Sequence, residues 1–291
     1  MSTPNRPAAP SLAEVVREWT RIGCVGFGGP PAHMTLLREL CVSRRAWLSE
    51  EQFERAIAAT NLLPGPSSTQ LAIYCAWGVR GNLGALVGGV CFILPGLAMI
   101  LALSVLFLAG SPPTWVRGTA MGAGAAVAAG ALRAGLTVPL PIWSRAHARD
   151  RPRVLGYALV GGLAAAVTGP WLVFALLACG AAELALRAGA AGAAALAPLP
   201  MLVALTTKGN LAALTWTALK VGGLAFGGGF VIVPLMQGDA VGAYHWMTRQ
   251  SFLSAVALGQ ITPGPVVHTV AAVGYAAGGV PAALLASAVA F

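Results

Sequence analysis

Three long stretches of the chain contain no Asp, Glu, Lys or Arg: residues 81–116, 154–182 and 250–291. An α-helix of about 20 residues crosses the roughly 30 Å apolar layer of a bilayer, so each stretch is long enough to span it. The composition agrees, because 57% of the 291 residues are hydrophobic and only 9% are charged, about a third of the charge of an ordinary soluble domain. The sequence therefore predicts an all-α integral membrane protein that crosses the cell inner (plasma) membrane several times.

The chain also contains one pattern twice. The stretch RIGCVGFGG that starts at Arg21 aligns without a gap with KVGGLAFGG, which starts at Lys220, 199 residues later. A Pro-Gly-Pro triplet recurs at the same spacing, at residues 64–66 and 263–265. Similarity at a fixed period indicates a duplicated structural unit. The expected organisation is a first repeat at 1–142, a connecting loop with short spans at 143–200, and a second repeat at 201–291.

The charges predict that the two repeats have opposite orientations in the membrane. The loop of residues 38–55 carries four arginines, whereas its duplicate at 237–250 carries only Arg249. Lys and Arg are enriched in cytoplasmic loops, so we expect the first loop inside the cell and its duplicate outside. The repeats are then inverted relative to each other, as in several transporter folds.

The Pro-Gly-Pro triplets interrupt apolar segments, where we expect broken, re-entrant helices. Proline removes a backbone donor and clashes with the preceding helical turn. Free backbone groups at membrane depth are tolerated only inside protein or beside water, so the breaks are expected to line a cavity. Whether residues 210–236 cross the membrane or re-enter stays open. The other predicted segments are a re-entrant hairpin at 56–79, crossings at 82–109 and 114–140, and short spans at 154–168 and 170–187.

A glycine-rich turn follows a basic residue in both halves. Such a turn leaves backbone N–H groups free, and the helix after it directs the positive end of its dipole to the same place. Two cations and several N–H donors together favour an oxyanion. The alternatives are a helix-packing surface for the glycines and an interfacial position for Arg21. The candidate binding residues at these turns are Arg21, Phe27, Gly28 and Gly29, with Lys220, Phe226, Gly227 and Gly228.

Polar side chains flank both Pro-Gly-Pro breaks and are further candidates for substrate binding. Asn61 aligns with Gln260, so both halves keep a side-chain amide at this position. Ser67 can donate to a bound oxygen or cap the helix that starts there, and His268 can contact the substrate or a proton. The candidates at the breaks are Asn61, Pro64, Gly65, Pro66 and Ser67 in the first half, and Gln260, Pro263, Gly264, Pro265 and His268 in the second.

Other classes of site find little support. A Walker A loop needs the tripeptide GK[ST], which the chain lacks. Carboxylates are almost absent from the apolar segments, since Glu183 closes a helix and Asp239 is assigned to a loop. The five cysteines have no CxxC spacing and are expected as reduced packing residues. We expect no catalytic residue, metal or cofactor. Nucleic acid is not expected as a partner either, because the basic residues lie at the ends of apolar segments.

The basic residue before FGG and the spacing W-x5-F-x10-PGP, both present in each half, resemble the chromate ion transporter family of two-domain membrane proteins. The resemblance covers about residues 11–110 and 210–291. It implies a transporter that expels chromate, or its analogue sulfate, and confers chromate resistance, driven by the electrochemical gradient and not by ATP. The family's motif residues map to the glycine turns, with Gly26 included, and to both breaks. The implied partners are the oxyanion and the lipid bilayer, and a homodimer is left open.

Two alternative functions are kept. The stretch PGPSSTQ resembles the phosphate-binding turn of membrane lipid-pyrophosphate phosphatases, but it has no arginine and its copy PGPVVH lacks the serines. A sulfate uptake permease or an anion channel would differ from an exporter in direction and gating. Aligning Gly81 with Gly279 places Phe291 beside Ile93. We therefore expect the second repeat to be incomplete, a truncation that would affect transport.

Overall fold

The computed structural model of the chain describes residues 10–108, 150–167, 210–225 and 232–291, with short pieces between 114 and 186. These residues form helices and turns, and no strand occurs among them, which confirms the all-α prediction. The expected spans at 114–140 and 170–187 lie largely outside the described residues. The helices are α1 (Leu12–Val25), α2 (Pro30–Arg38), α3 (Glu50–Leu62), α4 (Ser67–Leu108), α5 (Arg151–Val167), α6 (Asn210–Leu224), α7 (Ile232–Gln237), α8 (Arg249–Ile261) and α9 (Thr269–Ala290).

Local sequence signals set where several helices begin. Ser11 caps α1 because its hydroxyl accepts a hydrogen bond from the Glu14 N–H over 3.2 Å, while the Glu14 carboxylate accepts one from the Ser11 N–H over 2.9 Å. Ser49 and Gln52 form the same reciprocal cap at α3, and Thr248 caps α8. These side chains satisfy N–H groups that the first helical turn leaves unpaired.

Backbone features of the first half recur in the second half at a spacing of 199 residues. A π-helical turn follows α2 at Glu39–Arg44, and another follows α7 at Gly238–Ala243. Each is followed by a residue in the left-handed region, Ala46 with φ 49° and His245 with φ 51°. A β-carbon makes this conformation uncommon, so its recurrence shows that the two segments share a local fold.

α4 and α9 are each kinked at a glycine with positive φ. The kink in α4 lies at Gly81 (φ 65°, ψ −155°), and the kink in α9 lies at Gly279 (φ 71°, ψ −160°). This region is open essentially only to glycine. The two kinks are 198 residues apart, so the second half has one residue fewer between its break and its kink.

Both Pro-Gly-Pro triplets separate helices. α3 ends just before the first triplet and α4 begins at Ser67, whereas α8 ends before the second triplet and a 3-10 turn (Val266–His268) leads into α9. The central glycines Gly65 and Gly264 have φ of 126° and 95°. Proline fixes φ near −65° and cannot donate to the preceding turn, so each triplet ends one helix and allows another to start a few residues later.

Each half has its own core, and α4 connects them. A further cluster joins Ile100 at the end of α4 to Leu258 of α8 and Ala272 of α9, so the second half packs on the same long helix. The large buried side chains of the two separate cores include Trp19, Phe53 and Phe92 in the first half, and Leu214, Met236 and Phe252 in the second.

Two equivalent glycines let helices approach closely. α1 lies against α4, and α6 lies against α9. A β-carbon on Gly23 would lie 2.7 Å from the Phe92 carbonyl oxygen, and one on Gly222 would lie 2.5 Å from the Ala290 carbonyl oxygen. These distances are too short for any larger residue without a backbone shift. Small residues at helix contacts are typical of membrane proteins.

Two helical stretches are long and apolar enough to cross a membrane, Ser67–Leu108 and Val266–Ala290. Only 22% of the most apolar window of the first is buried, whereas the core helix of a soluble protein would be mostly buried. An exposed apolar stripe fits a helix that faces lipid. α6, with 15 residues, is shorter than the roughly 20 that a crossing needs. The stripe on α4 consists of Leu83, Leu86, Val90 and Leu94.

Candidate functional site

The two Pro-Gly-Pro breaks meet between the halves and border a small, partly open cavity, here called the break cavity, which has room for about one water molecule. Although the breaks are 199 residues apart in the sequence, the fold places them side by side. Of the predicted site residues, Pro66, Ser67 and Pro265 line the cavity. The full lining is Pro30, Pro66, Ser67 and Ser68 from the first half, with Ala225, Pro265, Val266 and Val267 from the second.

Backbone contacts cross between the halves beside the break cavity. The Gly264 N–H donates to the Gly26 carbonyl over 2.9 Å. A β-carbon on Gly65 would lie 3.7 Å from the Gly222 carbonyl oxygen. Gly65 and Gly264 are the central residues of the two breaks, so each break contacts the glycine-rich segment of the other half. Gly29 likewise faces the Val266 side chain.

Helix starts surround the break cavity and supply hydrogen-bond donors. α2 begins at Pro30, α4 at Ser67, and the 3-10 turn before α9 at Val266, and all three residues line the cavity. The first N–H groups of a helix have no intrahelical partner, and its N-terminus carries about half a positive charge. Pro30 has no N–H, so the donors come from α4 and the turn at Val266.

Side-chain hydrogen bonds fix the shape of the breaks. Gln70 Nε2 donates to the Pro64 carbonyl over 2.7 Å, and Thr269 Oγ1 donates to the Val266 carbonyl over 2.9 Å. Of the two predicted amides, Asn61 is exposed and Gln260 is half-buried. Gln260 Nε2 has no hydrogen-bond partner within the described part of the chain, so it keeps a donor that a ligand can satisfy.

Two fully buried histidines lie next to the break cavity. His268, a predicted site residue, directly follows Val267 in the 3-10 turn. His33 lies in α2, and its Nε2 is 2.9 Å from the Gly26 carbonyl oxygen. His33 was not among the predicted site residues, although a histidine in the glycine- and proline-rich stretch GFGGPPAH is the signal that points to it.

Arg21 lies away from the break cavity, in a cluster of arginines around one buried carboxylate. Glu18 accepts from Arg44 (2.7 Å), Arg17 (3.1 Å) and Arg45 (3.2 Å), and Arg21 lies 3.8 Å from it with 61% of its side chain exposed. Burial raises the pKa of the Glu18 carboxyl, but the hydrogen bonds from the arginines lower it more, and the pKa lies below its ordinary value.

Lys220 is equivalent to Arg21 and is also paired with a carboxylate. Its Nζ lies 2.6 Å from Asp239 Oδ2, and Thr217 Oγ1 donates to the same oxygen over 2.8 Å. Both charged side chains are about 8% exposed. Asp239 had been assigned to a loop, but it lies buried in the π-helical turn after α7, because its charge is paired there.

The predicted residues therefore separate into two groups. The break residues and His268 lie at or beside the break cavity, whereas neither Arg21 nor Lys220 lines it. Phe27 is half exposed. Phe226, Gly227 and Gly228 lie outside the described residues, so the glycine turn of the second half is represented by Ala225 alone.

The buried carboxylates Glu18 and Asp239 were not predicted from the sequence. The alignment of the two repeats could have indicated them. Glu18 is equivalent to Thr217, and Leu40 is equivalent to Asp239. Glu18 and Leu40 border the same small pocket, just as Thr217 contacts Asp239. A buried carboxylate thus occupies the same place in both halves, carried by α1 in the first and by the π-helical turn in the second.

The break cavity is lined by the two serine hydroxyls and by helix starts with N–H groups, which can donate hydrogen bonds to oxygen atoms, and two imidazoles lie next to it. Among the described residues no group of three or more His, Cys, Asp or Glu could hold a metal ion, and the five cysteines are free. Broken helices that meet between two similar halves are typical of secondary transporters. The fold and the site therefore define the class of this protein as a membrane transporter.

Comparison with known proteins specifies the family. The chromate transporter family matches residues 13–184 and 212–291, so the chain belongs to this family. It is 32% identical to the chromate transport protein of Cupriavidus metallidurans, covering 97% of this chain and 71% of that protein. It is 33% identical to that of Pseudomonas aeruginosa, covering 94% of this chain and 68% of the relative. A probable chromate transport protein of Synechococcus elongatus is 29% identical. No solved structure matches significantly.

Membership in this family confirms the resemblance that the motifs indicate. The relatives are transport proteins, so the chain is a membrane transporter and not an enzyme. The phosphatase alternative is therefore not favoured.

Proposed function

We propose that the chain is a secondary transporter that moves chromate, or its analogue sulfate, outward across the cytoplasmic membrane and thereby confers chromate resistance. The observation that carries this proposal is the break cavity, where both broken helices and the glycine turn of the first half meet. The relatives named as chromate transport proteins support chromate as the substrate.

The architecture that we propose is a pair of inverted repeats, 1–142 and 201–291, with both breaks at the membrane midplane. Its support is the recurrence of π-helical turns, left-handed residues and kinked helices in the two halves. The unequal arginine content of the loops at 38–55 and 237–250 supports opposite orientations. Broken helices place their positive dipole ends at the centre of the membrane, where a substrate anion binds.

When it widens beyond the size of about one water molecule, the break cavity offers donors that can replace the hydration shell of an oxyanion. Removing an anion from water is costly unless fixed donors replace the lost hydrogen bonds. Ser67, Ser68 and the N–H groups at the start of α4 can provide such donors, and Gln260 has an unused one beside the break. We assign these groups to direct contact with the oxyanion.

Arg21 and Lys220 have a different part in the proposal. Four arginines surround Glu18, so this region of the first half carries excess positive charge that attracts anions from solution. Lys220 is neutralised by Asp239 and can reach an anion only if that pair opens. We therefore propose that Arg21 attracts the anion toward the cavity. Lys220 would contact the anion only after its ion pair with Asp239 opens.

The membrane potential alone can drive this transport. Moving one charge through 100 mV changes the free energy by about 2.3 kcal/mol. The free energy of a dianion therefore falls by roughly 4–5 kcal/mol per 100 mV when it leaves a cell with a negative interior. No ATP-binding loop is required, in agreement with the missing GK[ST] tripeptide.

Flux measurements test the proposal. The purified chain in proteoliposomes should move chromate toward the positive side when a potassium diffusion potential is imposed, with sulfate competing. Ser67→Ala should weaken chromate uptake several-fold, because Ser67 lines the cavity. Ser104→Ala is the matched control, since Ser104 is also buried but lies far along α4. Liposomes that move neither anion at either sign of the potential would contradict the proposed function.

A further inference from the structure

The two histidines beside the break cavity lie close to the same backbone hydrogen bond, which joins the Gly26 carbonyl to the Gly264 N–H. The Gly26 carbonyl oxygen lies 2.9 Å from His33 Nε2 and also accepts from the Gly264 N–H at 2.9 Å. A β-carbon on Gly264 would lie 2.9 Å from His268 Cε1. His33 of the first half and His268 of the second therefore lie on either side of the contact between Gly26 and Gly264.

Both rings also pack on the same face of α4. The His33 ring lies edge-on to Phe92 with centroids 5.0 Å apart. A β-carbon on Gly96 would lie 2.5 Å from His268 Cε1, so only glycine leaves room for that ring. Phe92 and Gly96 are four residues apart and so share one face of the helix. The rings are close enough for a charge on one to affect the other.

The hydrogen bonds show where a proton can bind. A carbonyl oxygen only accepts, so His33 Nε2 carries the hydrogen and Nδ1 keeps a lone pair. His33 Nδ1 and both ring nitrogens of His268 have no hydrogen-bond partner among the described residues. The Ile93 carbonyl lies near the His268 ring but forms no hydrogen bond with it that meets the usual distance and angle limits. Buried polar atoms normally have partners, so these three nitrogens are unusual.

We propose that His33 and His268 form one proton-binding site that takes up a proton from water when the oxyanion occupies the break cavity. This inference rests on the proposed function. The proton binds to the lone pair of His33 Nδ1 or of the unprotonated nitrogen of His268, and no other bond changes. His33 is the titratable side chain that faces His268. The side chains that pack on the rings from α4 and the chain end, those of Phe92 and Phe291, are uncharged, and Phe291 also bears the α-carboxylate of the chain.

Charge explains why the two binding events depend on each other. A proton on a fully buried imidazole is unfavourable without a nearby negative charge. Repulsion between the rings limits the pair to one proton, whereas a dianion next to Val267 and Pro265 offsets its charge. Linkage requires that the proton strengthens anion binding by the same factor. The dianion with one proton still carries one net negative charge, so a negative cell interior continues to drive it outward.

Calorimetric titration of the purified full chain with sulfate tests this site. Sulfate is the probe because, unlike chromate, it takes up no proton near neutral pH. From about pH 5 to 8, the range in which an unperturbed histidine titrates, its Kd should rise by up to about tenfold per pH unit. Buffers of different ionisation enthalpy should report about one proton taken up per sulfate bound.

Three variants separate the proton site from a packing role. His33→Gln keeps a donor for the Gly26 carbonyl but has no titrating nitrogen, and His268→Thr copies Thr69, the equivalent residue of the first half. Each substitution alone leaves one ring that can take the proton and should weaken the pH dependence, whereas the two combined in one chain should give a sulfate Kd that no longer changes with pH. His245→Asn is the control, because His245 is exposed and Asn tolerates its φ of 51°, and it should keep the pH dependence.

The outcomes distinguish this inference from the proposed function. Sulfate binding that is independent of pH in the parent, or that stays fully pH-dependent in the double variant His33→Gln with His268→Thr, would overturn the proton site while leaving the transporter proposal intact. A chain that binds neither sulfate nor chromate at any pH would overturn both proposals.

Discussion

The two halves hold a buried carboxylate at the same place but surround it in different ways. In the first half four arginines contact Glu18, and their side chains are between 33% and 69% exposed. In the second half a single lysine, Lys220, contacts Asp239, and both side chains are about 8% exposed. The first cluster has excess positive charge and is open to water, whereas the second is neutral and closed.

The buried carboxylate lies in a similar place in both halves, although the two residues that carry it are not equivalent in the repeat. The carboxylate lies on α1 as Glu18 in one half and on the π-helical turn as Asp239 in the other. In both halves the carboxylate forms a hydrogen bond between the first helix and the π-helical turn. Glu18 accepts from Arg44 in the first half, and Asp239 accepts from Thr217 in the second. The charges around the carboxylate can then differ. We infer that the first half attracts anions, whereas the cation of the second half, Lys220, is neutralised by its partner.

The largest effect is expected from breaking the closed pair of the second half. Asp239→Asn or Lys220→Met leaves a buried charge without its partner, which typically costs about 3–5 kcal/mol. The double variant Lys220→Met with Asp239→Asn removes both charges and should recover most of that loss. Thermal unfolding of the purified variants in detergent measures the difference.

The two single changes also serve as controls for each other. If the stability depends on the pair, the effects of the single variants must be strongly non-additive in a double-mutant cycle. Additive losses, with the double variant the least stable of the three, would show that each side chain acts alone.

Much of the fold follows from local sequence signals. The Pro-Gly-Pro triplets interrupt helices because proline acts on its own neighbours. The structure has a break before Ser67 and a kink at Gly81, while the re-entrant hairpin expected at 56–79 stays a prediction. The apolar stretch after that kink forms a helix with an exposed stripe of leucines. These features need no knowledge of distant contacts.

The ion pairs and the histidine pair could not be predicted in the same way. The sequence assigns Asp239 to a loop, and only the fold places Lys220 beside it. Arg21 and Lys220 were expected to face a common site, but each is paired within its own half. The partner of a buried charge depends on tertiary contacts, which one sequence does not contain.

A smaller effect is expected from moving the carboxylate of the first half to the position it has in the second. Glu18→Thr alone should cost about 1–3 kcal/mol, because partly exposed arginines lose a buried acceptor but can be hydrated instead. Adding Leu40→Asp copies Thr217 and Asp239 and should restore at least half of that stability. Thermal unfolding in the same detergent provides the comparison.

The single variant Leu40→Asp controls for the added charge. With Glu18 still present it places two carboxylates together and should destabilise the chain by like-charge repulsion. If the double variant is no more stable than Glu18→Thr, the equivalence of the two carboxylate positions is wrong.

The smallest effect on stability is expected at Arg21, where the two halves differ most in exposure. The Arg21 side chain is 61% exposed and lies 3.8 Å from Glu18, and such exposed pairs contribute about 0.2–1 kcal/mol. Arg21→Gln should therefore unfold at nearly the same temperature as the parent. Its chromate flux at low salt should nevertheless fall, because one of the charges that attract the anion is lost, and the difference should shrink as salt screens the field.

Arg55→Gln is the matched control for that last comparison. Arg55 is also exposed and also pairs with a glutamate of its own helix, but it lies outside the cluster around Glu18. If both variants lose the same flux with the same salt dependence, only the overall charge of the chain matters. If Arg21→Gln transports like the parent at low salt, the arginine cluster only fixes the loop, and the anion reaches the break cavity without it. A loss specific to Arg21 would instead mean that the open, positive half is the side from which the oxyanion enters.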